Sequence, residues 1–261
     1  MYAGGTELLL VMKEGLARYA HLVNIKTIPG LDGIAVVDGV LHLGAVVTHR
    51  RLERDPQVRA SVPALADVAG QVGNVRVRNV GTLGGNLCFA DPHSDPGALL
   101  VALGARLVLV GTTGERVVPV ERFFTGILQT VRRPDEILTR VEVDTRAAGT
   151  GAAYCKIAFH ERPTAGVAVW LQRRDGVIAD ARIVVGSVGP VPERVEAAEA
   201  QLRAERPEEP VLHAAADQAA TRVEVLEDLY GGTEYKRHLV RVLTVRALRR
   251  ALAAAEPVRA A

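Results

Sequence analysis

An α+β chain in two parts is what the sequence predicts, and three observations predict it. Up to about residue 148, short β-like runs alternate with short helical ones. Beyond Gly149, the long apolar runs "AGVAVWLQRR" and "VIADARIVVGSVG" face each other across Asp175–Gly176, a dipeptide suited to a tight antiparallel turn. The rest of the chain carries apolar residues at helical spacing, interrupted by the polar, proline-broken loop "RAERPEEP". The expected parts are residues 1–148, divided into 1–50 and 51–148, and residues 149–261, an antiparallel sheet covered by helices.

The elements follow in order. "HLVNIK" reads as a β-like run ending at Pro29–Gly30, and "GIAVV" pairs with "VLHLGAVV" across Asp38–Gly39, where both turn residues need positive φ. Thr48 can cap "HRRLERDP", and Pro63 can open a helix through "ALADVAGQ". Asp95 and Pro96 read as N-cap and first helical residue of a helix through "GALLVAL", stopped at Gly104, after which "ARLVLV" resumes as a strand. "AYCKIAF" is the first strand of the second part. A helix is expected from about Glu193 to Ala204, with Val195, Ala198 and Leu202 at helical spacing, and a second across "VLHAAADQAATRVEVL". Thr233 caps a last helix that places Leu239, Val242, Leu243 and Ala247 on one face.

Composition removes several function classes. Thirty-two basic residues against thirty acidic ones leave a formal charge of +2, and no basic run carries aromatic partners, so no nucleic-acid footprint is visible. Cys88 and Cys155 stand far apart, without C-x-x-C spacing, and read as buried thiols; no metal or iron–sulfur site follows from them. There is no secretory leader and no apolar run near the roughly 18 residues of a membrane span, so a cytoplasmic protein is expected. Basic residues are mostly arginine; the lysines are Lys13, Lys26, Lys156 and Lys236.

The usual signatures of nucleotide binding and hydrolysis are missing. No G-x-G-x-x-G exists, since Gly149-Thr-Gly151-Ala-Ala runs into Tyr154, and no P-loop, H-E-x-x-H or G-x-S-x-G occurs. What the first half offers is a pair of glycine-rich turns, "AGGT" and "GTLGGN". Backbone amides in such turns can converge on an anion, and glycine lets the chain approach a pyrophosphate closely. Read from the residues alone, each turn is either such a site or a plain chain reversal, and Asp95 is either a ligand-binding acid or a helix cap.

Five stretches then carry a resemblance. "YAGGTELLLVMK", "RNVGTLGGNLCFADPHSDPGALLVALGARLVL", "DEILTRVEV", "YCKIA" and "GGTEYKRHLVRVLTVRALRRAL" occur in this order along the whole chain. Together they resemble the FAD-binding medium subunit of the molybdenum hydroxylases, the group of xanthine dehydrogenase, aldehyde oxidase and aerobic carbon monoxide dehydrogenase. The resemblance implies a two-part FAD-binding domain of the vanillyl-alcohol-oxidase-like (PCMH) type over residues 1–148, followed by a C-terminal flavoprotein domain. It implies that Ala3, Gly4, Gly5, Thr6, Glu7 and Leu8 wrap the FAD pyrophosphate, and that Thr82, Gly84, Gly85 and Asn86 contact the pyrophosphate and the flavin side. Asp95 falls where the family has an acid at the ribose or adenine end, Leu138 where an apolar residue packs on the flavin, and Lys156 where a lysine approaches the ring system. A cation there would stabilise the anionic reduced flavin and raise its potential, the alternative being a surface lysine.

The implied activity is that of an oxidoreductase subunit. A large partner subunit carries the molybdenum–pterin cofactor, a small one the 2Fe-2S clusters, and FAD on this chain passes electrons to NAD, a quinone or dioxygen. By analogy the assembly is a dimer of heterotrimers, and this subunit alone does not turn over the hydroxylation substrate. Two other readings are a bridging subunit that has lost FAD and a self-contained flavin oxidoreductase. The latter would want an acid–base constellation, for which His93 and His160 are the nearest residues, each expected to be a surface histidine. Family members carry a strand and a helix ahead of the AGGT loop, where this sequence has Met1 and Tyr2. The expectation is therefore a truncated first subdomain, with Tyr2 as a strand remnant and FAD affinity the property at stake.

Overall fold

The structure is a computed structural model that describes residues 1–255. The chain divides into two compact units: Met1–Asp91 with Ala105–Thr145, and Pro92–Gly104 with Arg146–Ala261. The segment Pro92–Gly104, placed in the first part by its sequence position, thus clusters with the second.

The first unit opens with α1 (Leu8–Lys13), a single apolar helix that buries none of its residues. Tyr2 and Asn24 form an isolated parallel bridge rather than strands, so "HLVNIK" is not the β-run its composition suggests. The sheet of this unit is five-stranded and antiparallel, in the order β1 (Ile34–Val37), β2 (Val40–Gly44), β7 (Ile137–Asp144), β3 (Arg106–Gly111) and β4 (Gly114–Pro119). The β1–β2 turn is the expected one, with Asp38 at φ 49° and Gly39 at 76°. A small hairpin of β5 (Phe124–Gly126) and β6 (Gln129–Thr130) sits between β4 and β7 in the sequence.

Five short helices fill the span from β2 to residue 89: α2 (His49–Arg54), α3 (Pro56–Ser61), α4 (Pro63–Ala69), α5 (Val75–Val80) and α6 (Leu83–Phe89). Their starts are chemically marked. Thr48, Asp55, Asn74 and Thr82 each accept hydrogen bonds from amides of the following turn, and Pro56 and Pro63 stand at first helical positions. Alternation along the strands buries Leu41 and Leu43, Leu107 and Leu109, and Val141 and Val143.

The second unit is a layered sheet. Its order is β11 (Glu193–Arg194), β10 (Val177–Gly186), β9 (Ala165–Arg174) and β8 (Thr150–Ile157), all antiparallel. Asp175 (φ 52°) and Gly176 (φ 82°) make the turn expected between β9 and β10. One face packs Ala165, Val167, Val169 and Leu171 against α8 (Glu196–Ala200), α9 (Glu209–Arg222) and α10 (Thr233–Ala255), as expected. The other face carries α7 (Asp95–Ala102), packed on β9 and β10. The helix expected from Glu193 is shorter, because Glu193–Arg194 pairs with Val184–Val185 as an edge strand. Thr233 is the first residue of the long helix α10. No helix among the described residues is long and apolar enough to cross a membrane.

Candidate functional site

A cleft of about 540 Å³ opens in the first unit, a size usual for small-molecule sites. Eleven of the thirteen residues singled out from the sequence line it: Ala3, Gly4, Gly5, Thr6, Glu7, Leu8, Thr82, Gly84, Gly85, Asn86 and Leu138. The two glycine segments, far apart in sequence, form one wall system.

The first loop is held by few contacts. Tyr2 donates its amide to Val23 O (2.8 Å) and accepts from the amide of Ile25 (3.1 Å), while Ala3 packs with Leu31, Val46 and Ile25. Past this anchor the amides of Ala3, Gly4, Gly5 and Thr6 have no protein acceptor among the described residues. Gly5 lies at φ +78°. Consecutive unspent N–H groups around a left-handed residue form a nest for an anion. Glycine at position 4 has a packing reason: a Cβ there would run into the carbonyl oxygen of Val80, so the loop lies backbone to backbone on the second segment.

That second segment behaves differently from expectation. "TLGGN" is the start of α6 rather than an open turn, and its amides are spent inside the protein. Leu83 donates to Val47 O (3.0 Å), Gly84 to Ala45 O (2.8 Å), Gly85 to Thr82 Oγ1 (3.1 Å) and Asn86 to Thr82 O (2.9 Å). Its glycines serve close approach: a Cβ on Gly84 would sit 2.6 Å from Ala45 Cβ, and one on Gly85 2.7 Å from Thr82 Oγ1. The unspent amides are therefore those of the first loop, and α6 is the support against which it lies.

The far wall is Pro134, Glu136, Ile137 and Leu138. Glu136 takes a two-pronged ion pair from Arg116 (2.6 and 2.8 Å) and the amide of Arg133 (2.7 Å), which hold its carboxyl down at about 2. Cys88 also borders the cleft and is partly exposed rather than the buried thiol expected, while desolvation pushes its thiol up to about 11, which favours the protonated form. His49, which sequence reasoning missed, is 2% exposed, and burial with the nearby charge of Arg78 lowers it to about 4. Its Nδ1 has no hydrogen-bond partner among the described residues.

Asp95 and Lys156 lie in the second unit, bonded to each other. Asp95 is not the N-cap; Ser94 holds that position, and Asp95 is the first helical residue. Its carboxylate accepts from Tyr154 OH (2.8 Å) and Lys156 Nζ (2.8 Å). Burial raises the Asp95 carboxyl, although both partners pull it down, and raises the Tyr154 phenol well above its ordinary value. Lys156 is no surface lysine, its side chain being 14% exposed. His93 departs from expectation too. Nδ1 is 2.8 Å from Pro163 O and Nε2 3.2 Å from Asp228 Oδ2, which in turn pairs with the fully buried Lys236 (2.6 Å). Lys236 also donates to Leu226 O (2.8 Å), so this cluster ties loops together. His160 is exposed.

The cleft with its free amide nest suits a diphosphate-bearing cofactor. Residues 1–144 match the FAD binding domain in molybdopterin dehydrogenase, and residues 155–251 match the CO dehydrogenase flavoprotein C-terminal domain. The chain belongs to this flavoprotein family. It is 34% identical over 255 residues to the carbon monoxide dehydrogenase medium chain of Hydrogenophaga pseudoflava, covering 97% of this chain and 89% of that one. The nicotine 6-hydroxylase medium subunit of Paenarthrobacter nicotinovorans is 31% identical, over 94% of this chain and 87% of the relative. Among solved structures, carbon monoxide dehydrogenase from H. pseudoflava lacking the Mo-pyranopterin moiety matches with a TM-score of 0.94 at 37% identity, covering 97% of this chain and 89% of that one. Quinoline 2-oxidoreductase from Pseudomonas putida 86 matches at 0.92 and 30%, with the same coverage. The chain is thus an FAD-binding medium subunit of the molybdenum hydroxylase family and an oxidoreductase subunit, with the FAD-binding fold and C-terminal sheet domain of that family.

Proposed function

We propose that this chain is the electron-relaying flavoprotein of a heterotrimeric molybdenum hydroxylase. In that reading a small partner carries 2Fe-2S clusters, a large partner carries the molybdenum–pterin cofactor, the whole forms a dimer of heterotrimers, and the terminal acceptor is NAD, a quinone or dioxygen. The observation that carries it is the run of unspent amides at Ala3, Gly4, Gly5 and Thr6, facing a cleft whose opposite wall is apolar at Leu138. FAD supplies a carrier that takes electrons singly and releases them in pairs. The chain's own residues bind, orient and shield it.

The Ala3–Thr6 amides hold the diphosphate, with Glu7 and Leu8 opening α1 beside it. Thr82, Gly84, Gly85 and Asn86 set the distance between loop and floor, and Leu138 covers an apolar ring face. The family resemblance puts Asp95 at the ribose or adenine end and Lys156 at the ring system, but their side chains are bonded at 2.8 Å and therefore meet the same end of the cofactor; we assign the pair to the ring system. The ammonium of Lys156 is already met by the Asp95 carboxylate, so its pull on the flavin potential is that of an ion-pair dipole rather than a bare cation. Neither Cys88, whose thiol is kept protonated, nor Glu136, locked to Arg116, is given a role as nucleophile or proton shuttle. The test is the visible spectrum of the purified protein, followed by acid release and identification of the flavin. Equimolar FAD is the expected result; no flavin, before or after adding FAD, overturns the reading.

A further inference from the structure

Among the described residues the walls of the cleft carry a single arginine, Arg132, and no lysine. Arg132 lies in the turn between β6 and β7, half-buried, and the turn holds one end of its guanidinium. Nη1 donates to the carbonyl oxygens of Arg133 (2.8 Å) and Glu136 (2.9 Å), while the Arg132 amide donates to Thr130 Oγ1 (3.3 Å). No carboxylate among the described residues meets this cation, since the acid of the same turn, Glu136, is taken by Arg116. Nε and Nη2 are left without a protein partner, the open side of a planar fork made for an anion or a pair of carbonyl oxygens.

Two observations place the fork along the cleft. The first loop lies at the start of α6, where a Cβ on Gly85 would stand 3.8 Å from Ala3 Cβ. Cys88 is about 4.5 Å further along the helix axis, and there the charge of Arg132 pulls the thiol down against the larger effect of desolvation. The second acceptor of Nη1, Glu136 O, immediately precedes Ile137 and Leu138 of the apolar wall. The guanidinium therefore stands beyond the first loop, on the wall that carries Leu138.

We propose that Arg132 is a cofactor-binding residue whose free guanidinium N–H groups face the pyrimidine edge of the FAD ring system and hold the negative charge it carries when reduced. This rests on the assignment of the cleft to FAD and of the Leu138 wall to its ring. The oxidised ring is neutral and the reduced ring anionic, so the same contact is stronger in the reduced form and raises the potential. Lys156 has its charge met by Asp95, whereas Arg132 brings a cation with no counter-charge from the protein. Clamping by two carbonyls keeps the fork aimed without neutralising it.

The test uses the full chain loaded with FAD, comparing wild type with Arg132→Gln, Arg132→Leu and Arg132→Lys. The affinity for oxidised FAD comes from titration of each apo-protein and the midpoint potential from a spectroelectrochemical titration. Two neutral variants are used because Nη1 braces the turn, so that loss of the fold in one leaves the other; melting each apo-protein shows which are folded. Both neutral variants are expected to bind oxidised FAD close to the wild-type affinity but reduced FAD roughly ten- to a hundredfold less tightly. For a two-electron couple that is a fall in potential of about 30 mV per factor of ten. Arg132→Lys keeps the charge and most of the potential. An unchanged potential in the folded neutral variants overturns the inference, whatever happens to their melting temperature. Equal weakening of oxidised and reduced FAD also overturns it, and would put the guanidinium on the diphosphate. A wild-type chain that binds no FAD overturns the assignment of the cleft itself, an outcome distinct from the others.

Discussion

Asp95, Tyr154 and Lys156 show how a residue's neighbours set its chemistry. Asp95 carries the first helical position of α7, where a negative charge is favoured, but it is 3% exposed and its charge is met by the ammonium of Lys156 across 2.8 Å. Removing either partner leaves the other charge buried, which costs about 3 kcal/mol or more. Asp95→Asn and Lys156→Met are therefore each expected to lower the unfolding free energy by about that amount, and the double variant by clearly less than the sum. Urea unfolding of the four proteins measures the coupling; strict additivity would show that the pair is not formed in solution. The residues of this trio were legible in the sequence, but their partnership was not. "SDP" and "YCK" are separated by some sixty positions, and the cap pattern explained Asp95 without reference to any distant partner. His49 was silent for the same reason: a lone histidine after a capping threonine gives no sign that its ring will be enclosed without a partner.

At the scale of elements, the wall of the cleft opposite the nest depends on one turn. Glu136 joins the turn before β7 to Arg116 on β4, so it fastens an edge strand to the turn that leads into Leu138 on β7. Its carboxyl is lowered from an ordinary 4.5 to about 2, chiefly by the Arg116 hydrogen bonds. A depressed carboxyl stabilises the fold fully above its unfolded value, and that contribution is lost as pH falls from about 4.5 towards 2. Denaturation profiles of wild type and Glu136→Gln should therefore differ most near neutral pH and converge below this window; parallel profiles across it would refute the linkage. The strands and their turns were readable, since Asp38–Gly39 and Asp175–Gly176 take the positive φ their residue types favour. The "GTLGGN" segment was readable as glycine-rich but not as a helix start with spent amides. What decides between an open anion turn and a packed helix is whether Val47 and Ala45 carbonyls stand within reach, and they come from a connection nearly forty positions earlier.

At the scale of the whole molecule, no group of three or more His, Cys, Asp or Glu side chains among the described residues is placed to hold a metal ion. The isolated chain loaded with FAD should be bleached by dithionite, yet unchanged by anaerobic addition of a hydroxylation substrate such as carbon monoxide or an N-heterocycle. Bleaching by substrate alone would show a self-contained oxidoreductase instead. Local sequence determined the caps, the two positive-φ hairpins and the apolar alternation of the strands, because each follows from a few adjacent residues and their steric and hydrogen-bonding limits. Tertiary structure alone decided that α7 packs on the second sheet, that Asp95 binds Lys156 instead of capping its helix, that the unspent amides lie on one glycine loop and not two, and that His49 Nδ1 is enclosed without a partner among the described residues. Each of these depends on which distant backbone or charge comes within about 3 Å, the range of a hydrogen bond, and no run of neighbouring residues carries that information.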